Sequence, residues 1–158
     1  MKKLVNTLLK LLIEKKLTIA FAESVTCGLA SHQLNIVKGT SEAFMGSVVC
    51  YNECVKTNLL GIDSSLIDQY TAESQQVTDA LAKNLHQLFD ADMFAAITGL
   101  AAPGGSETSS KPVGTIFFSL MYKGRLVRQK KFFSGTPLQI KKKACEELYK
   151  LMLRELKE

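Results

Sequence analysis

A serine supported by an amine base is the chemistry that three separate segments of this chain suggest. The first is FAESVTCGLA, residues 21–30, where Ser24 follows an apolar run and precedes the small residues Thr26, Cys27 and Gly28. A serine at a strand-to-helix turn can cap the helix, help cradle a phosphate on the turn's amides, or act as a nucleophile. A nucleophile needs a base. The second segment, GSVVCYNECVK (46–56), offers Lys56 five residues after Tyr51. A lysine becomes a base when burial and a nearby helix N-terminus disfavour its charged form. Tyr51 could relay or orient the proton between Lys56 and Ser24. His32 and His86 lie within helical patterns and read as structural or solvated. Cys27 is the rival nucleophile, because a thiol at a helix N-terminus ionises readily. The third segment, AAPGGSETSSKP (101–112), is either a flexible turn or a backbone that approaches a ligand closely at Gly99, Gly104 and Gly105.

These segments meet only if the fold gathers them. An amphipathic helix is expected at 2–16, with Leu4, Leu8, Leu11 and Leu12 at helical spacing, followed by a strand at 17–23 and a helix at 26–36. A strand at 46–51 leads into a helical stretch at 53–60. Ser74 reads as the cap of a helix whose stripe is Val77, Leu81, Leu85 and Leu88. MFAAITG (93–99) has the apolar character of a strand covered on both faces. VGTIFFSLMY and RLVRQKKFF flank Lys123-Gly124 as a hairpin. Thr136-Pro137-Leu138-Gln139 combines capping-box spacing with a first-turn proline, and Ile140, Ala144, Leu148 and Leu151 supply the last stripe. The pattern predicts one domain over 1–158, a three-layer α/β/α sandwich with a mixed, mainly parallel sheet. Ligands of such sheets bind beyond the carboxyl ends of the parallel strands, where all three segments would gather.

Composition narrows the partners. The net charge of +5 suits an anionic small molecule. The basic stretch 128–143 is explained by the exposed faces of a strand and a helix, without the stacking aromatics of a nucleic-acid module, so no nucleic acid is expected. No apolar run is long enough to span a bilayer, so no membrane partner is expected. Lys2 and Lys3 precede an apolar stretch, but Asn6, Thr7 and Lys10 interrupt it, so a cytoplasmic protein rather than a secreted one is expected. Cys27, Cys50, Cys54 and Cys145 then read as free thiols, and no spacing of cysteine and histidine suggests a metal site.

Taken together, the segments resemble the CinA C-terminal domain family, the nicotinamide-nucleotide amidases. FAESVTCG is similar to the family's A-E-S-C-T-G-G, and GSVVCYNECVK to its G-x-V-x-Y-x-N-x-x-K. ITGLAAPGGSETSSKPVGTIF is similar to its T-G-I-A-G-P-x-G-G…K-P-V-G-T-V block. The resemblance implies removal of the carboxamide nitrogen of nicotinamide mononucleotide as ammonia, with Ser24 as nucleophile and Lys56 and Tyr51 as its partners. It implies Thr26, Gly28, Thr98, Gly99, Gly104, Gly105 and Lys141 as substrate-binding residues. It also implies a homodimer that uses no cofactor and no metal. This chain departs from the pattern at Val25, Cys27 and Ala102, and carries Pro137 where the family has an arginine. Without that arginine, backbone amides near Ser134, Gly135 and Thr136, with Lys141, are left to hold a phosphate. The alternatives are a nucleotide-binding or regulatory module without turnover, and a Ser–Lys amidohydrolase with another substrate.

Overall fold

A computed structural model describes residues 1–158. In chain order the elements are α1 (Lys2–Glu14), β1 (Ile19–Glu23), α2 (Leu29–Asn35), β2 (Phe44–Val49), α3 (Glu53–Asn58), α4 (Ser64–Tyr70), α5 (Gln75–Asn84), β3 (Met93–Gly99), β4 (Thr115–Tyr122), β5 (Arg125–Phe132) and α6 (Pro137–Lys157). One sheet has the order β2-β1-β3-β4-β5. β1 pairs in parallel with both β2 and β3, β4 is antiparallel to β3, and β5 is antiparallel to β4. β4 alone therefore runs against the other strands. The carboxyl ends of β1, β2, β3 and β5 share one edge of the sheet, and the functional segments leave from that edge.

Strand alternation splits the core into two layers. Ile19, Phe21, Ala95, Ile97, Ile116 and Phe118 pack with buried residues of α1, α2 and α6. Ala22 and Ala96 face the other way, against Val77, Leu81 and Leu85 and the residues around α4. Alanine on that face lets α5 lie close to the central strands. The α1 stripe is Val5, Leu8, Leu9 and Leu12, all buried. Each leucine buried there contributes roughly 2 kcal/mol. The result is the three-layer α/β/α sandwich with a mixed, mainly parallel sheet expected from the sequence. No helix is long and apolar enough to cross a membrane.

Several boundaries differ from expectation for identifiable reasons. α2 begins at Leu29, not 26, because Cys27 (φ 51°) and Gly28 (φ 87°) are both left-handed and cannot continue a helix. β2 covers Phe44–Val49, two residues earlier than expected, which frees Cys50 and Tyr51 for the turn beyond it. The α5 stripe stops at Leu85: the helix tightens into a 3-10 turn over Leu85–Gln87, and Leu88 is 41% exposed beyond it. α4 stands where the sequence pattern shows no helix. Asp63 caps it by accepting from Ser65 N–H, and seven residues carry too little periodicity to announce it. The hairpin turns at Lys123 (φ 49°) and Gly124 (φ 72°), the pair of left-handed residues that a two-residue connection between twisted strands favours.

Candidate active site

Ser24 is the first residue past β1, and its surroundings are fixed by main-chain bonds. Its N–H donates to Ile97 O at 3.0 Å, and Cys50 N–H donates to Glu23 O at 2.8 Å. These bonds join the ends of β1, β2 and β3. Beyond them lies a cleft of about 450 Å³ whose wall includes Ser24, Val25, Tyr51, Gly99, Pro137 and Lys141. The glycine loop through Gly104 and Gly105 closes one side. Glu53 and Glu73 also line the cleft, and Lys141 is its one cationic side chain.

The turn after Ser24 is organised from beneath by Glu23. This carboxylate is fully buried and accepts from Thr26 Oγ1 at 2.7 Å, Ala30 N–H at 3.0 Å and Ser31 N–H at 2.8 Å. It also accepts from Ser31 Oγ, which in turn bonds Ser47 Oγ at 2.7 Å. A buried carboxylate is tolerated only when its oxygens are satisfied in this way. Two consequences follow. Glu23 neutralises the first amides of α2, so these amides are not open to a ligand. Thr26 is tied inward, and the structure does not bring Thr26 or Gly28 to the cleft wall. The N–H groups of Val25 and Thr26 donate to no protein acceptor.

Lys56 sits one turn into α3 and is 1% exposed. Its Nζ donates to Cys50 O at 2.6 Å and Tyr51 O at 3.1 Å. Burial pulls its pKa below the ordinary lysine value, opposed by weaker attraction from Glu73 and Glu53. A neutral amine has two N–H groups and one lone pair. The two carbonyls take the N–H groups and leave the lone pair available to accept a proton. Lys56 makes no hydrogen bond to Ser24 and does not itself line the cleft. Tyr51 does line it, with a side chain 68% exposed and a free hydroxyl. Cys50, next to Lys56, has its thiol pushed up to about 11 by burial and stays protonated near neutrality. Cys27 is exposed, and both histidines are exposed on their helices.

The glycine loop is held by its own side chains. Gly104 N–H and Gly105 N–H each donate to the Glu107 carboxylate at 2.8 Å. Lys111 Nζ reaches Thr71 Oγ1 (2.7 Å), Glu73 O (3.0 Å) and Ser106 Oγ (2.7 Å), and Ser106 Oγ donates to Glu73 Oε2 at 2.5 Å. Gly99 is required at its position, because a Cβ would stand 2.8 Å from Ile116 Cα at a φ of +147°. Thr98 is buried and bonded to Thr78 Oγ1 at 2.7 Å, so it braces β3 rather than facing the cleft. Of the substrate-binding residues expected from the sequence, Gly99, Gly104, Gly105 and Lys141 line the cleft; Thr26, Gly28 and Thr98 do not. Ser134, Gly135 and Thr136 do not line it either. Thr136 N–H is taken by Gln139 Oε1 at 2.8 Å in the completed capping box. Glu23 and Glu107 were not singled out from the sequence, since each acts on backbone that only the folded chain brings to it.

The sequence matches the family model of the CinA C-terminal domain over residues 1–156. It is 39% identical over 116 residues to a CinA-like protein of Pseudothermotoga lettingae, covering 73% of this chain and 28% of that one. A CinA-like protein of Mycobacterium marinum is 40% identical over 141 residues, covering 89% of this chain and 33% of that one. The chain thus spans about a quarter to a third of the length of the curated relatives it matches. Among solved structures, a competence or damage-inducible protein from Enterobacter asburiae superimposes with a TM-score of 0.92 at 26% identity, covering 98% of this chain and 97% of that one. A CinA superfamily protein from Klebsiella pneumoniae has a TM-score of 0.93 at 24% identity, covering 98% and 96% of the two chains, and supports the fold alone.

Proposed function

The chain belongs to the CinA C-terminal domain family, and on that premise we propose that it is an amidohydrolase converting nicotinamide mononucleotide to nicotinic acid mononucleotide and ammonia. The observation that carries this reading is Lys56: a buried amine whose charged form is disfavoured, with both N–H groups of its neutral form engaged by carbonyls. A lowered pKa is the direction a lysine needs to serve as a general base. In the proposed reaction Ser24 Oγ attacks the carboxamide carbon while its proton moves towards Lys56, through the Tyr51 hydroxyl. The oxyanion falls to the unengaged N–H of Val25, a residue of the cleft wall. Ammonia leaves with the proton returned by Lys56, and water then hydrolyses the ester on Ser24. The choice of substrate rests on the resemblance of the three motifs. The same resemblance supports a homodimer that needs neither cofactor nor metal.

A second reading, a nucleotide-binding module without turnover, is favoured by two observations. Lys56 and Ser24 are not hydrogen-bonded, and Cys27 holds a left-handed conformation where the family motif has glycine. One experiment separates the readings. The purified protein is given nicotinamide mononucleotide, ammonia is quantified, and heat of binding is measured in parallel. Release of ammonia supports the amidase, binding without ammonia supports the module, and finding neither heat nor ammonia overturns the substrate assignment.

A further inference from the structure

The charged side chains of the cleft wall come from opposite layers of the sandwich. Lys141 reaches the cleft from α6, which packs on one face of the sheet. Glu73 reaches it from the turn before α5, which packs on the other face. Ser24, at the end of β1, stands on the sheet between them. The surroundings of Glu73 decide which of its atoms is open. Its main-chain carbonyl accepts from Lys111 Nζ at 3.0 Å, and Oε2 accepts from Ser106 Oγ at 2.5 Å; neither partner lines the cleft. Oε1 makes no hydrogen bond, yet it is not buried. Lys111 bonds Thr71, the Glu73 carbonyl and Ser106 rather than the carboxylate, so it fixes the turn without pairing the charge. Burial lowers the pKa of Lys56, and Glu73 opposes this more than Glu53 does, although Glu53 shares a helix with Lys56. The Glu73 carboxylate therefore lies on the side of the cleft that holds the base.

We propose that Glu73 is a specificity-determining residue whose free carboxylate oxygen faces the positively charged pyridinium ring of the substrate and selects it over neutral aromatic amides. The proposal rests on the reading of the cleft as a site for nicotinamide mononucleotide. Glu73 lies outside the three motifs that carry the resemblance, so this role is not one the resemblance implies. The mononucleotide is a dipole of the required sense, with a cationic ring bearing the amide at one end and an anionic phosphate at the other. Glu73 and Lys141, on opposite sides of the cleft, match those two charges. The amide to be cleaved is attached to the ring, so the carboxylate on the Lys56 side meets the ring and Lys141 the phosphate. Pairing with the ring costs little ordering, because Ser106 and Lys111 already hold the Glu73 turn. A neutral ring in the same place would cover Oε1 without offering it a partner, and a carboxylate deprived of water without compensation is costly. The discrimination arises as much from that penalty as from the attraction.

The test compares two ligands by calorimetry on the full chain. One is nicotinamide mononucleotide; the other is its carbon isostere, in which the ring nitrogen is replaced by carbon so that a neutral benzamide ring sits on the same ribose phosphate. Wild type should bind the cationic ligand about tenfold more tightly, and the preference should shrink as salt is raised. Glu73→Gln keeps an oxygen for the Ser106 hydroxyl and removes only the charge, so the ratio of the two affinities should fall towards one. Glu73→Ala should lower the ratio to the same extent. A merely structural role for Glu73 would weaken both ligands alike, so an unchanged ratio in both variants overturns the proposal. Ammonia release is followed separately. Binding of both ligands with the ratio unmoved by the variants defeats the proposal alone. A charge preference that depends on Glu73 in a protein releasing no ammonia supports the proposal and defeats the amidase reading alone. Failure of wild type to bind either ligand defeats the nucleotide reading and this proposal with it.

Discussion

Replacing Cys27 by glycine should stabilise the protein while leaving turnover largely intact. Cys27 has φ 51°, a region where a Cβ costs roughly 1–2 kcal/mol. Its thiol is exposed, so no packing is lost with it. Against this gain, glycine adds about 0.4–1 kcal/mol of unfolded-chain freedom. The balance favours Cys27→Gly by roughly 1 kcal/mol, which raises Tm by about 2–4 °C in a domain of this size. Gly28→Ala in the same turn should do the reverse. Gly28 has φ 87°, and its Cβ would make only an ordinary contact at 3.6 Å with Val49 Cγ2, so the backbone penalty of about 1–2 kcal/mol, less the same unfolded-chain term, leaves a loss of roughly 1 kcal/mol. Calorimetric Tm values of the two variants and wild type form the assay. A Cys27→Gly protein less stable than wild type would refute the left-handed assignment. Loss of turnover in the same variant would move the nucleophile from Ser24 to the thiol.

Three further outcomes are expected. Lys56→Met should lower turnover about a hundred- to ten-thousandfold, and should also change how stability depends on pH. The folded-state pKa of Lys56 lies below the ordinary 10.5, so in that window the unfolded chain binds more protons and wild-type stability rises with pH. Urea unfolding at pH 7 and pH 10 should therefore show wild type gaining on Lys56→Met as pH rises; the opposite trend would mean that the native state favours the ammonium. Gly99→Ala should destabilise by roughly 3 kcal/mol in denaturant unfolding, because its Cβ would press on the backbone at Thr115 and Ile116. With Lys141 as the one cation of the cleft and Pro137 in the place of an arginine, the preference for nicotinamide mononucleotide over nicotinamide riboside should be smaller than in an arginine-bearing relative, by roughly ten- to a hundredfold in kcat/KM. An equal or larger preference here would show that position 137 does not govern phosphate recognition.

What could be read from the sequence was what short-range physics dictates. MFAAITG became β3 with its expected bounds, Lys123-Gly124 became the hairpin turn, and Thr136 and Gln139 formed the capping box. Each of those signals is complete within a few residues. The positions of Ser24, Tyr51 and Lys56 at the sheet's carboxyl edge were also legible, because alternating strands and helices leave few topologies. The Cys27–Gly28 turn was not, since cysteine gives no hint of a left-handed angle, and so α2 was placed three residues early. Glu23 stood next to Ser24 in plain view, but its role depends on α2 folding back to present Ala30 and Ser31. The family resemblance implies Thr98 as a substrate-binding residue; strand alternation turns it inward to Thr78. The burial of Lys56 and its engagement by the carbonyls of Cys50 and Tyr51 likewise arise from the crossing of segments, which spacing alone does not specify.

The central claim is that Ser24 attacks an amide with Lys56 as its base, and parallel ammonia assays on nicotinamide mononucleotide with wild type, Ser24→Ala and Cys27→Ser test it most directly. Because attack, proton transfer and ester formation all pass through Ser24 Oγ, Ser24→Ala should lose several orders of magnitude in turnover with its thermal unfolding unchanged. Cys27→Ser should keep most of the wild-type rate. A Ser24→Ala protein that retains more than about a tenth of wild-type ammonia release would contradict the account.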